Sequence, residues 1–104
     1  MIVVTTDQIQ GKEIKEILGV MSGGTVQSKN IGKDIGAGLK GLVGGEMKSY
    51  TAMMEEAREI AMQRLIDKAS KAGANAIVGM RFMTSSIIQG ASEVIAYGTA
   101  VVVE

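Results

Sequence analysis

The stretch from Ser49 to Gly73 constrains the fold of this chain more than any other. Its apolar residues recur at i, i+3, i+4 and i+7, which places them on one face of an α-helix. They are Tyr50, Met53, Met54, Ala57, Ile60, Ala61, Leu65, Ala69 and Ala72. Ser49 suits the N-cap position and Gly73 the left-handed residue that ends a helix. We therefore predict an amphipathic helix of about 35 Å that covers one face of a small domain.

Two segments before this helix are predicted as strands. Ile2 to Thr5 is a short run rich in β-branched residues. Lys12 to Ser28 carries apolar residues along its length and is interrupted by Gly23 and Gly24. Paired glycines inside a strand favour an irregularity, so we expect a bulge or a bend at this point.

Two segments after the helix are also predicted as strands. Ala74 to Thr84 alternates, and one predicted face carries Ala76, Val78, Met80, Phe82 and Thr84. A turn near Gln89-Gly90 follows. Glu93 to Val103 is apolar on both faces, so we expect this strand at the centre of the sheet, or covered by the helix layer on one side and a neighbouring subunit on the other.

The segment from Ile31 to Gly45 is rich in glycine. Its apolar residues keep helical spacing, but each internal glycine costs about 1 kcal/mol relative to alanine in a helix. We expect a helix here that presses its glycines against another element. Within it, residues 36–41 match G-x-G-x-x-G, a nucleotide-binding pattern that requires a preceding strand. No strand is predicted there, so Gly36 and Gly38 are interpreted as packing residues; a nucleotide-binding protein or enzyme is the alternative.

The composition excludes many kinds of functional site. The 104 residues include no Cys and no His, which removes thiolate nucleophiles, disulfides and the commonest zinc ligands. Eleven basic and eleven acidic residues give zero net charge, and without a basic stripe we expect no nucleic-acid binding. Neither a signal peptide nor an apolar run of about 20 residues is present. We expect one cytosolic domain over residues 1–104, with no membrane partner and no enzymatic activity.

Methionines and carboxylates are the remaining candidate ligands. Eight methionines are compatible with a soft-metal site, but Met80 and Met83 are predicted on opposite faces of a strand, and core filling explains the set better. Four glutamates are expected on the surface, at Glu46, Glu55, Glu56 and Glu59. A solvated helix face accounts for them more simply than a cation site. We therefore predict no catalytic, cofactor-binding or metal-binding residues and no cofactor.

Four sequence blocks resemble the YbjQ-like family. They are TTDQIQGKEI at 5–14, VGG at 43–45 before the long helix, GANAIVG at 73–79 and GTAVVV at 98–103. The blocks span the chain in the family's order and spacing. This family comprises small bacterial and archaeal proteins labelled as heavy-metal-binding, without an established activity. The resemblance implies an α+β fold, an antiparallel sheet with helices packed on it as in dodecin-like subunits, and a ring-shaped homopentamer.

The chain departs from that family in two places. Members usually carry acidic residues in the strand after Val78-Gly79, where this chain has MRFMTS at 80–85. The second departure is the glycine-rich segment, where the family has a more ordinary helix. We therefore predict weak metal binding by a non-enzymatic, ring-forming protein that serves as a small-ligand or ion-binding module. On assembly, water should leave four residues of the last strand, namely Val94, Ile95, Val101 and Val103.

Overall fold

The computed structural model describes residues 1–28 and 48–104, which form one helix packed on one sheet. In chain order the elements are β1 (Ile2–Val3), β2 (Ile14–Ser28), α1 (Lys48–Lys71), β3 (Ala76–Ile88) and β4 (Ala91–Val103). The four strands lie in the order β1-β3-β4-β2. β4 is antiparallel to both neighbours, whereas β1 is parallel to β3. The predicted α+β class is confirmed, with a mixed and mostly antiparallel sheet.

The helix α1 packs on the sheet through the predicted apolar stripe. Five of its residues are buried, namely Met53, Ala57, Ala61, Leu65 and Ala69. All of them except Met53 belong to the main core, together with Ile77 and Met80 of β3 and Val94 of β4. Most of the stripe is alanine, and such small side chains allow a helix to lie close to a sheet.

The two ends of α1 compare differently with the sequence prediction. The helix begins at Lys48, so Ser49 lies inside the first turn and is not its N-cap. At the other end Gly73 has φ 95°, as predicted. The N–H of Ala74 donates to the carbonyl of Ala69 at 3.0 Å, and that of Gly73 to Ser70 at 3.1 Å. This pair of bonds is the Schellman arrangement, which satisfies carbonyls that the end of a helix leaves unpaired.

The strands β3 and β4 form a hairpin with the predicted turn at Gln89-Gly90. Ile88 pairs with Ala91, and Gly90 takes a positive φ of 81°. β3 extends four residues past its predicted end at Thr84, since backbone pairing in a tight hairpin continues to the turn whatever the side chains are. β4 lies between β3 and β2, which confirms the predicted central position.

A bulge at Gly79 breaks the alternation predicted for β3. Gly79 has φ 62°, and the register with β4 shifts between Val78 and Arg81. An inserted residue reverses which face the following side chains occupy. Val78 accordingly packs with Val101 on the face away from α1, whereas Met80 joins the core under α1. The single apolar face predicted for β3 is therefore wrong.

The strand β2 continues through Gly23 and Gly24, so the irregularity predicted there is wrong. The register of β2 with β4 shifts instead near its start, between Ile14 and Glu16 and between Ile17 and Gly19. Gly23 lies directly under the backbone of α1. A Cβ atom on it would be 2.6 Å from the carbonyl oxygen of Ala61. Gly23 is thus required for the close approach of helix and strand.

The face of the sheet away from α1 carries a second, smaller core. Here Val101 and Val103 of β4 pack with Ala76 and Val78, and part of the cover comes from Ile2, Val4, Ile9 and Ile14. Val94, on the α1 side, is fully buried as well. The prediction that assembly removes water from these three valines is therefore wrong, because the subunit alone already buries them. Ile95 is only half-buried.

Candidate functional site

The described glutamates of α1 do not gather into a metal site. Glu55, Glu56 and Glu59 are exposed on α1, and residues 1–28 and 48–104 contain no cluster of three or more acidic side chains suited to a metal ion. No buried polar side-chain atom in this part of the chain lacks a hydrogen-bond partner. With no Cys or His in the sequence, the ligands that zinc sites most often use are missing. Glu46 and the Gly36–Gly41 motif lie outside the described residues.

Five of the seven methionines among the described residues are buried or pack against the core. Met53 and Met80 are buried in the subunit, while Met83 is 51% exposed. Met83 pairs with Ile95. Ile95 is next to Ala96, which belongs to the core under α1. Ile95 and Met83 therefore lie on the face away from α1, opposite to Met80. The prediction that these two methionines face opposite sides is confirmed, and they do not converge on a shared ion.

A shallow groove lies between α1 and the exposed part of β3. Its volume is about 510 Å³, and it is lined by Glu55, Arg58, Glu59, Met62, Gln63 and Phe82. Phe82 is 40% exposed because α1 lies mainly over β2 and β4. The described lining of this groove carries two carboxylates and one guanidinium, and we call it the acidic groove.

A second groove lies on the other side of α1, against β2. It holds about 310 Å³ and is lined by Gly23, Gly24, Arg64, Asp67, Lys68 and Lys71. Arg64 spans from the helix to the strand, donating from Nη1 to the carbonyl oxygen of Gly24 at 2.7 Å. The described lining of this second groove carries three cationic side chains and one carboxylate, and we call it the basic groove.

One strand residue from each groove lies at the same level of the sheet, whereas the helix residues of the grooves follow one another along α1, at 55–63 and 64–71. Ala96 of β4 pairs with Gly23 on one side and with Phe82 on the other. Gly23 belongs to the basic groove and Phe82 to the acidic groove. A line drawn across the strands at Ala96 therefore passes from one groove, under α1, to the other.

Each groove lies beside a strand edge with unpaired backbone groups. Among the described residues β2 pairs only with β4, so its outer edge is open along the strand. On the opposite edge the backbone N–H of Met80 donates to Val4 at 3.0 Å, but β1 itself is two residues long. From Phe82 to Ile88, no described strand pairs with the outer edge of β3.

Exposed apolar side chains accompany these open edges. On the face away from α1, Val20 is 79% exposed and Val26 54%, and Tyr97 lies in the strand beside them. Near the hairpin turn, Ile88 is 68% exposed. Apolar side chains on an uncovered edge strand favour pairing with another chain. The sequence indicated apolar faces in this region, but it did not indicate which edges the topology would leave open.

Arg81 occupies the position where the family resemblance implied an acidic residue. Its guanidinium donates from Nη1 to the carbonyl oxygens of Thr5 and Met80, both at 2.8 Å. It therefore ties the segment after β1 to β3 beyond the short ladder between these strands. A cation in this place argues further against an oxygen-ligand metal site on β3.

These features define a small α+β protein in which the described residues form a helix over a four-stranded sheet, with no described strand covering the outer edge of β2. The chain belongs to the YbjQ_1 family, described as "Putative heavy-metal-binding", whose model matches residues 1–104. The described residues contain no helix of the length and apolarity that a membrane span requires.

Relatives of similar length support this assignment. The chain is 60% identical over 101 residues to a UPF0145 protein of Vibrio parahaemolyticus, a match covering 97% of this chain and 96% of the relative. It is 58% identical over 104 residues to a UPF0145 protein of Clostridium perfringens, covering 100% and 98%. The crystal structure of a DUF74-family protein of unknown function from Pediococcus pentosaceus aligns with a TM-score of 0.64 at 20% identity, over 100% of this chain and 98% of that one. This last similarity concerns the fold alone.

Proposed function

We propose that this protein is a non-enzymatic homo-oligomer whose copies join edge to edge into a closed ring. The observation that carries the proposal is a pair of strand edges that no described strand covers, on β2 and on β3 from Phe82 to Ile88. An exposed edge with apolar side chains is a template for pairing with another chain unless it is blocked. Pairing with a second copy satisfies the backbone groups of both edges at once.

The direction of the strands favours a head-to-tail contact. β2 and β3 are both antiparallel to β4 and hence parallel to each other. A copy rotated about an axis along the strands therefore brings its β2 beside β3 of the first copy. Because the two edges differ, the contact is heterologous, and such contacts form rings when the rotation closes. The resemblance to the YbjQ-like family supports five subunits.

The exposed apolar residues make such an assembly favourable. Val20 and Val26 lie on β2, and Ile88 lies at the end of β3 beside the other open edge. Burial of apolar surface contributes roughly 25 cal/mol per Å². An interface of ordinary size, about 800 Å² per partner, is enough for stable association.

We also propose that any small ligand binds to the assembly rather than to a single subunit. The described residues contain no group of three or more acidic side chains that could hold a metal ion, and the two grooves of one subunit are shallow. We place the site of any small ligand at the contacts between subunits, where a second copy can close a groove.

The mass in solution tests the proposed assembly. Light scattering over a dilution series should give a multiple of the subunit mass of 10.9 kDa. A mass of one subunit throughout would refute the proposal. Ile87→Lys places a charge on the exposed end of β3 and should weaken association, since lysine protects strand edges from pairing. Gln10→Lys adds the same charge to an exposed turn and should leave the mass unchanged.

A further inference from the structure

We propose that Phe82 of one copy packs against Arg64 of the next, in a register that places Phe82 opposite Gly23 across the new strand pair. The inference rests on the proposed edge-to-edge association and names the contact that fixes its register. Three relationships within the subunit support this contact: the level of these residues along the strands, the direction of their backbone groups and the face of the sheet that they occupy.

Phe82, Gly23 and Arg64 lie at one level along the strands. Phe82 and Gly23 both pair with Ala96 of β4, from opposite sides. A Cβ atom added to Gly23 would lie 2.7 Å from the backbone carbonyl carbon of Arg64. A rotation about an axis along the strands involves no shift along them. When β2 of one copy lies beside β3 of another, Gly23 therefore faces Phe82, and Arg64 stands beside the same point.

The backbone groups at this level have the directions that a parallel strand pair requires. Glu104 exchanges two backbone hydrogen bonds with Glu13, just before β2, at 2.9 and 3.0 Å. Backbone groups alternate in direction along an antiparallel strand, and each register shift adds its extra residue to β2 or β3, not to β4. Even-numbered residues of β4, Ala96 among them, therefore face β2. Gly23 directs its groups towards Ala96, whereas Phe82 directs its groups outward.

The carbonyl of Gly24 provides an independent check on these directions. By the same alternation Ser22 and Gly24 point to the outer edge of β2, and the carbonyl oxygen of Gly24 indeed accepts from Nη1 of Arg64 at 2.7 Å. In a parallel pair, an outward residue bonds both neighbours of the residue opposite. The N–H of Phe82 can therefore donate to Ser22 of the next copy, and its carbonyl can accept from Gly24. A carbonyl oxygen has two lone pairs, so Arg64 can keep its bond when a strand is added.

The side chains of Phe82 and Arg64 then meet on the α1 face of the sheet. Phe82 lines the acidic groove and is 40% exposed. Arg64 is exposed on the other flank of α1, where its bond to Gly24 holds the guanidinium over the edge of β2. Gly23 has no side chain to separate the two. With neighbouring strands ~4.8 Å apart, ring and guanidinium can come within the ~6 Å of a cation–π contact.

Within one subunit this contact does not form. Phe82 and Gly23 are separated by β4, a distance of about 10 Å, and α1 lies between the two grooves. The acidic groove is therefore completed by Arg64 of the next copy. Substitutions at residues this far apart usually have additive effects, so any coupling between them in association reports contact between copies.

A double-mutant cycle on association tests the contact. Phe82→Ala and Arg64→Ala should each weaken assembly about fivefold or more in sedimentation measurements, as expected for a cation–π pair removed from water. The combined variant should be little weaker than either. Met83→Ala is the matched control, because Met83 is exposed on the same strand but on the opposite face. Its effect should add to that of Arg64→Ala. Circular dichroism checks that the variants fold.

Cysteine pairs test the register with both side chains intact. In the proposed register Ser85 lies opposite Val26 of the next copy, and the chain has no other cysteine to compete in V26C/S85C. Neighbouring strands bring the two Cα atoms within the roughly 4.4–6.8 Å span of a disulfide, whereas inside one subunit β4 keeps them about 10 Å apart. Oxidation should therefore give covalent dimers and larger species on a non-reducing gel. V20C/S85C, displaced by about 20 Å along β2, should not link.

The outcomes separate this inference from the proposal on which it rests. A wild type that stays monomeric overturns both. A wild type that assembles while V26C/S85C fails to link, or links less than V20C/S85C, overturns the register and leaves the ring. Linkage in V26C alone would indicate pairing of β2 with β2 and overturn the head-to-tail contact as well. Additive effects of Phe82→Ala and Arg64→Ala would overturn the side-chain contact.

Discussion

The side chain of Asn75 and the backbone of Val103 exchange two hydrogen bonds, each 2.8 Å long. Nδ2 of Asn75 donates to the carbonyl oxygen of Val103, and the N–H of Val103 donates to Oδ1. The backbone N–H of Asn75 also donates to Val101, at 3.1 Å. The amide side chain thus extends the β3–β4 ladder beyond the first residue of β3. This explains an asparagine within the GANAIVG block.

Asn75→Ala should destabilise the subunit by about 1–3 kcal/mol, because the replacement leaves the Val103 backbone groups without partners. Urea denaturation measures the loss, and hydrogen exchange at the Val103 amide should accelerate. Asn75→Asp keeps an acceptor for that amide but has no N–H₂ donor, so the exchange should stay slower than in Asn75→Ala. Equal exchange in all three proteins would show that the side chain is not part of the ladder.

Gly23→Ala should destabilise the protein, because the new Cβ would collide with backbone atoms of α1. Ala61 O and Arg64 C would lie at 2.6 and 2.7 Å from it, and over-packing of this kind typically costs about 1–3 kcal/mol. Gly24→Ala is the matched control. Its Cβ would meet Ile95 Cγ1 at an ordinary 3.4 Å. Thermal unfolding should therefore separate the two variants, and equal melting temperatures would contradict the close approach.

Gly79→Ala should destabilise through backbone conformation alone. The only atom near an added Cβ among the described residues is Oδ1 of Asp7, at 3.9 Å, whereas φ is 62°. A left-handed conformation costs a residue with a Cβ roughly 1–2 kcal/mol. Asparagine tolerates this region better, so Gly79→Asn should be more stable than Gly79→Ala in chemical denaturation. The reverse order would show that the bulge does not depend on the glycine conformation.

Purified protein should retain little zinc or nickel after dialysis. The chain lacks Cys and His, and the position before Phe82 carries a cation rather than a carboxylate. Elemental analysis of the dialysed protein measures the metal content. Zinc in a one-to-one ratio to the subunit would show that the family's description applies to this chain through ligands outside the described residues.

The sequence predicted the elements of the fold better than the faces of its strands. The apolar residues from Met53 to Ala69 repeat with the period of a helix and lie on one face of it. The helix and its buried residues could therefore be predicted from the sequence. In β3 the alternation of side chains between the two faces reverses at Gly79. The sequence alone does not show whether a single glycine marks a bulge. At Gly23 the glycine marks a close approach instead, which depends on a helix distant in the chain.

The grooves could not be predicted either, because they also depend on which elements distant in the chain come together. The spacing of Glu55 and Lys68 along α1 predicts that both lie on the solvated side of the helix. That they lie on opposite flanks becomes apparent only once the sheet under α1 is known. The open edges likewise result from strand order, since β1 is too short to cover β3 beyond Met80.

The contact between Gly23 and the helix has a consequence for how an assembly can vary. At this point main-chain atoms, rather than adaptable side chains, set the separation of the two layers. Repacking of rotamers therefore cannot tilt α1 over β2, and the angle between the basic groove and its strand edge is a fixed dimension of the subunit. A ring built from such a part takes its curvature from rigid geometry, which favours a single subunit number over a distribution of sizes.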